Sequence, residues 1–119
     1  MRRLEGPELE AYDLVPREIA ERARIQRVFV LPPGASGMTI GRLILLKSDV
    51  DRSGSRELVA HELVHVRQYA ESGFVRFLAV YLRDYLRQLV RLRRHRAAYL
   101  AIPAEAAART EAHAWATSS

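Results

Sequence analysis

His61-Glu62-Leu63-Val64-His65 places two imidazoles four residues apart, with a carboxylate beside the first. On an α-helix positions i and i+4 share a face, so both rings can address one metal ion. Glu62 lies about 100° further round, where it can reach a water on that metal without being a ligand. These are the parts of a catalytic zinc site. The ion keeps one vertex open and lowers the pKa of a water there towards neutrality; the adjacent carboxylate takes the proton as the water attacks a carbonyl. With four His and ten Glu in 119 residues, chance produces this pattern roughly 0.01 times. Two histidines merely accommodated in an amphipathic helix are the weaker explanation.

Two histidines do not complete such a site, and a third protein ligand is expected. The extended form H-E-x-x-H-x-x-G-x-x-H does not apply: Gln68 stands where Gly would turn the chain back, and Glu71 where the last His would be. The helix should continue and carry Glu71 away. The alternative is a Glu from a later helix packed across the first. The last helix offers Glu105 and Glu111. Glu105 sits in the first turn after Pro103, where the helix dipole favours a carboxylate, and enough chain separates it from His65 for one long helix and a turn. The ordinary reading of such a Glu is a surface acid; the shortage of other acids makes it the favoured ligand. Glu111 and His113 remain alternatives. Tyr99, Arg109 and His113 are near Glu105 in sequence and are candidates to stabilise an oxyanion, although a structural role is the ordinary one for each. Gln68 and Tyr69, one turn past His65, could hydrogen-bond to the ligands, with packing or surface roles as the default.

Around these groups the chain divides into short elements. Residues 1–15 are a polar lead-in. Pro16 opens a short helix ending near Arg24. Arg27–Leu31 reads as a strand, stopped by Pro32-Pro33-Gly34, and Met38–Leu46 as a second strand with Gly41 a bulge or close-approach point. Asp49–Gly54 is turn chemistry, and Ser55 caps the motif helix, which runs to about Glu71 before Gly73 closes it. A long helix then extends from Phe74 to Tyr99 or Leu100. Its wide apolar stripe includes Phe77, Tyr81, Leu82, Leu86 and Val90, and Arg76, Arg83, Arg87, Arg91 and Arg94 line the opposite face. Asp84 should pair with Arg87 and its neighbours; His95 should be exposed. Pro103 opens a final alanine-rich helix to about Trp115. The expectation is a single α+β domain over 1–119, compact from about 16 to 116 with flexible termini: about four helices and a small two- or three-stranded sheet.

Composition narrows the functional classes. The absence of cysteine excludes disulfides, thiol catalysis and Cys-based zinc sites. No apolar run approaches a membrane span and no signal peptide is visible, so a cytoplasmic location is expected. The net charge is +5, with 18 of 19 basic residues Arg and six of these within Arg83–Arg96. An anionic partner would suit that excess, although Arg bias also follows genome composition.

Three segments together resemble a bacterial family of small zincin-like domains, of the minimal gluzincin metallopeptidase type: Gly37-Met38-Thr39-Ile40-Gly41, His61 to Tyr69, and Ala98 to Glu105. The resemblance spans roughly residues 25–112 and is strongest at the helix motif. It implies a minimal zincin fold with zinc held by His61, His65 and Glu105, and with Glu62 as the base. It also implies an edge strand around Thr39–Leu46 that binds an extended peptide by strand addition. One departure is Ala107, where a second Glu is expected in a P-x-E-x-E-A pattern; its loss thins the hydrogen bonding that orients a ligand.

The function expected is zinc-dependent hydrolysis of a peptide or protein substrate. One alternative is a catalytically inactive zincin scaffold. Another is a basic amphipathic module, its arginine-rich helix lying on an anionic membrane surface or, less favoured, binding nucleic acid. The preferred reading of that helix is that its apolar stripe packs on the motif helix and its arginines form a solvated face.

Overall fold

The computed structural model describes residues 1–32, 35–47 and 56–118. Its elements run β1 (Arg2–Arg3), α1 (Gly6–Ala11), α2 (Arg17–Arg22), β2 (Arg24–Arg27), β3 (Gly37–Ile40), β4 (Leu43–Leu46), α3 (Arg56–Ser72), α4 (Phe74–Leu92), α5 (His95–Ala101) and α6 (Pro103–Thr117). The class is α+β. Among the described residues there are six helices and one four-stranded sheet, where about four helices and two or three strands were expected. The expected turn at 49–54, the Ser55 cap and the Pro33-Gly34 stop lie outside the described residues.

The stretch read as one strand from Met38 to Leu46 is a hairpin. Gly41 takes φ +65°, a backbone state costly for side chains other than glycine, and so turns β3 back onto β4 in two residues. Strand order is β1-β2-β4-β3, with β2 and β4 parallel and the other two pairs antiparallel. β3 is therefore an edge strand, and it packs against α3.

Strand β2 also falls earlier than its β-branched composition suggested. The parallel register with β4 runs from Arg24↔Leu43 to Arg27↔Leu46 and buries Ile25, whereas Phe29 and Val30 are exposed. Beyond Arg27 the Val28 N–H continues the ladder, donating to Leu46 O at 2.9 Å. The available partner strand, not side-chain type, sets the boundary.

Residues 1–15 are not a loose lead-in. Leu4, Tyr12 and Val15 are buried in the main core with Ile19, Ile44, Leu46, Val59, Leu63 and Val64. Arg2 forms a two-pronged ion pair with Glu8 at 2.8 and 3.0 Å, and the Trp115 indole N–H donates to Ala11 O at 3.0 Å. The last helix is thus tied to the first.

α3 and α6 pack most closely. α6 buries Glu105, Ala108 and Ala112, one stripe at steps of three and four, and the two alanines let α3 approach near enough for Glu105 to reach its histidines. α4 and α5 are two helices rather than one. Arg93 adopts the left-handed conformation (φ 58°), its N–H donating to Leu89 O at 2.7 Å, so α5 folds back along α4. A hydrogen bond of 2.8 Å joins Tyr85 Oη and His95 Nδ1 across the bend. No Gly or Pro marks this break. Asp84 pairs with Arg83 at 3.2 Å rather than with Arg87. The α4 stripe divides: Phe77 is buried and Tyr81 partly so, but Leu82, Leu86 and Val90 face solvent. No helix among the described residues is long and apolar enough to cross a membrane.

Candidate metal centre

The periodicity of α3 turns His65 into the interior with Glu62, Val59, Leu63 and Val66, and leaves His61 partly exposed at the rim. From α6, Glu105 reaches both rings: its Oε1 lies 2.9 Å from His61 Nε2 and 3.0 Å from His65 Nε2. One ligand atom from each of the three lies within 4.8 Å of the others, and the group could hold a metal ion. Glu111 and His113 are elsewhere. Glu111 forms a paired contact with Arg67 at 2.7 and 2.8 Å, and exposed His113 faces Glu57 at 3.6 Å. Glu71, exposed on the continuing helix, pairs with Arg67.

Burial rules out the surface-acid explanation of Glu105. Its relative exposure is 3%, and a helix N-terminus contributes about 0.3–1 kcal/mol against a cost of several kcal/mol for burying a carboxylate. The hydrogen-bonding and charged partners around it must make up the difference.

The hydrogen bonding of His65 fixes which ring nitrogen faces Glu105. Gln68 Nε2 donates to Ala104 O at 3.2 Å, which turns Gln68 Oε1 towards His65 Nδ1, 2.8 Å away. An amide oxygen only accepts, so Nδ1 carries a proton; Nε2 then faces the carboxylate oxygen either as a second N–H, in an imidazolium–carboxylate pair, or as the lone pair that a metal would take. Two lone pairs at 3.0 Å require a proton or a metal between them. The donor set, two imidazoles and one carboxylate, is of the kind that holds a divalent ion such as zinc.

Without a metal, the local electrostatics favour the charged imidazolium–carboxylate pair. Burial works against ionising Glu105, but hydrogen bonds from His61, His65 and Tyr81 outweigh it and hold the carboxyl far below its usual range. Burial likewise disfavours charged His65, yet Glu105 and Glu62 raise it above its ordinary 6.5. Glu62 is pushed above 4.5 by burial, which exceeds the opposing pull of His65, His61 and the Thr39 hydroxyl.

Several contributors were not visible in the sequence. Tyr81 Oη donates to Glu105 Oε2 at 2.6 Å, leaving Oε1 for the histidines; within the apolar stripe of α4 it read as packing. Thr39 Oγ1 donates to Glu62 Oε1 at 2.8 Å. Gly37 lies directly against the same carboxylate, so that a Cβ there would sit 3.2 Å from Glu62 Oε2. Of the sequence candidates, Gln68 orients His65, whereas Tyr69 is packed among Phe74 and Phe77. Arg109 donates to Leu100 O. Tyr99 lies beside Glu105; burial first, then that carboxylate's charge, keep its hydroxyl protonated well above the ordinary 10.0.

Comparison with known proteins adds one similarity. A family model described as the eCIS core domain matches residues 30–73, a stretch that holds β3, β4 and α3 and ends before Glu105. No curated protein and no solved structure matches the chain.

Tyr81→Phe should weaken metal binding about ten- to a hundredfold with the fold intact, measured by competition with a chromogenic chelator, because a ligating carboxylate loses the donor that orients it. In chelator the thermal midpoint should fall as pH rises from about 5 to 8. The stability from raised His65 is complete below 6.5, and that from raised Glu62 below 4.5; both are lost as pH climbs through the folded values. Glu105, shifted down, withdraws stability only on acidification. With metal present the trend should reverse, since binding requires deprotonated imidazoles.

Proposed function

We propose that the chain is a zinc-dependent peptidase of the small zincin-like, gluzincin type, with His61, His65 and Glu105 as ligands and Glu62 as general base. The observation that carries this is the convergence of those three ligand atoms within 4.8 Å, beside a fourth group, Glu62, buried on the same helix. Zinc held there supplies Lewis-acid polarisation of a carbonyl and acidifies a water. The chain's own residues do the rest. Thr39 occupies Glu62 Oε1, so Oε2, above Gly37, is the oxygen that takes the proton of the attacking water and returns it to the leaving amine. Burial makes that carboxylate a stronger base than a solvated one. Tyr81 keeps Glu105 oriented. Tyr99, its hydroxyl held protonated, is the candidate donor to the developing oxyanion. Edge strand β3 offers backbone groups to an extended substrate, next to the base.

A second reading is a structural metal site without turnover, favoured by the burial of His65 and Glu105. A mixed peptide pool incubated with zinc-loaded protein and read by mass spectrometry separates the two. New termini that vanish with chelator support the peptidase. One bound metal per chain with no cleavage supports the structural site.

A further inference from the structure

The peptidase reading uses one face of α4, where Phe77 and Tyr81 turn towards α3. The opposite side carries a stripe that is exposed among the described residues. Val75, Ala79, Leu82, Leu86 and Val90 recur at steps of four and three, and Val75, Leu86 and Val90 are 78%, 57% and 77% exposed. Alongside run Arg76, Arg83, Arg87 and Arg91, all exposed, with Arg93 and Arg94 just past the helix end. The one acid on this helix is Asp84, already engaged by Arg83. We infer that this face of α4 docks on an anionic lipid surface, its aliphatic side chains entering the headgroup boundary and its arginines meeting lipid phosphates.

Charge selects this occupant over others. A second copy laid against the stripe would set two arginine ridges side by side with no acids to answer them. Nucleic acid would meet the arginines but leave the aliphatic stripe in water. A bilayer with anionic headgroups satisfies both. α4 has too many charges to cross the membrane and lies along it. Because Tyr81 projects from the other side of the same helix, docking would leave the Glu105 cluster turned away from the lipid.

The test is co-sedimentation of metal-loaded protein with vesicles of phosphatidylcholine alone and of an equimolar phosphatidylcholine–phosphatidylglycerol mixture, at low and high salt. The inference expects binding to the anionic vesicles at least tenfold tighter than to neutral ones, and weakened by salt. It expects a further tenfold loss in the double variant Leu82→Glu/Leu86→Glu and, separately, in Arg83→Gln/Arg87→Gln/Arg91→Gln. Metal content and helical circular dichroism should be unchanged in both, since all five side chains are exposed. Equal affinity for the two vesicle types, or none, overturns it. So does binding to duplex DNA that needs the arginines but not Leu82 and Leu86, or self-association that Leu82→Glu/Leu86→Glu abolishes without any vesicle binding. None of these outcomes depends on peptidase activity.

Discussion

Glu62→Gln should reduce peptide turnover about 10²–10⁴-fold while the metal stays bound. Glutamine keeps the shape of the side chain, and its amide oxygen still accepts from Thr39 Oγ1, so α3 and the histidines need not move. What disappears is the capacity to take a proton. Glu62 does not contribute to the His61–His65–Glu105 group, hence metal stoichiometry should match wild type. The comparison is made by steady-state cleavage assay alongside metal analysis of the same preparation. A variant that loses metal and activity together would make Glu62 structural.

The second large effect is at the carboxylate. Glu105→Ala should release the metal and remove the stabilisation that metal confers, about 2.7 kcal/mol at a free concentration of 100 Kd, or roughly 10 °C in thermal midpoint for a chain of this size. Two imidazole nitrogens and the Tyr81 hydroxyl would lose their shared acceptor at once. The decisive comparison is with chelator. It should lower the midpoint of the wild type and leave that of Glu105→Ala unmoved. A variant that still responded to chelator would mean the metal is held elsewhere.

How much of this was legible beforehand differs between residues for physical reasons. The motif helix was legible because its chemistry and its 3.6-residue period coincide, and the position of Glu105 beside the two histidines because few acids lie in the last helix. Tyr81 was not: a tyrosine within an aliphatic stripe is indistinguishable from core until the helix is seen to cross the site. Thr39 depends on a hairpin whose turn, Gly41, read equally well as a bulge in one strand. The bend at Arg93 puts a residue other than glycine into the left-handed conformation, which no Gly or Pro announces, and so a continuous helix was the natural expectation. The N-terminal segment hid its role because Leu4, Tyr12 and Val15 are spaced too irregularly to show a period, yet each is buried. The exposed half of the α4 stripe is the converse case. Its periodicity predicted burial, and the protein buries only the side that faces α3.

The most direct measurement is anomalous diffraction at the zinc edge from crystals of the zinc-loaded protein. One peak should appear between α3 and α6, within roughly 2.0–2.2 Å of a nitrogen of His61, a nitrogen of His65 and an oxygen of Glu105. If the peak lay elsewhere, or if the three side chains still touched one another directly with no ion between them, the metal centre, and the peptidase built on it, would be wrong.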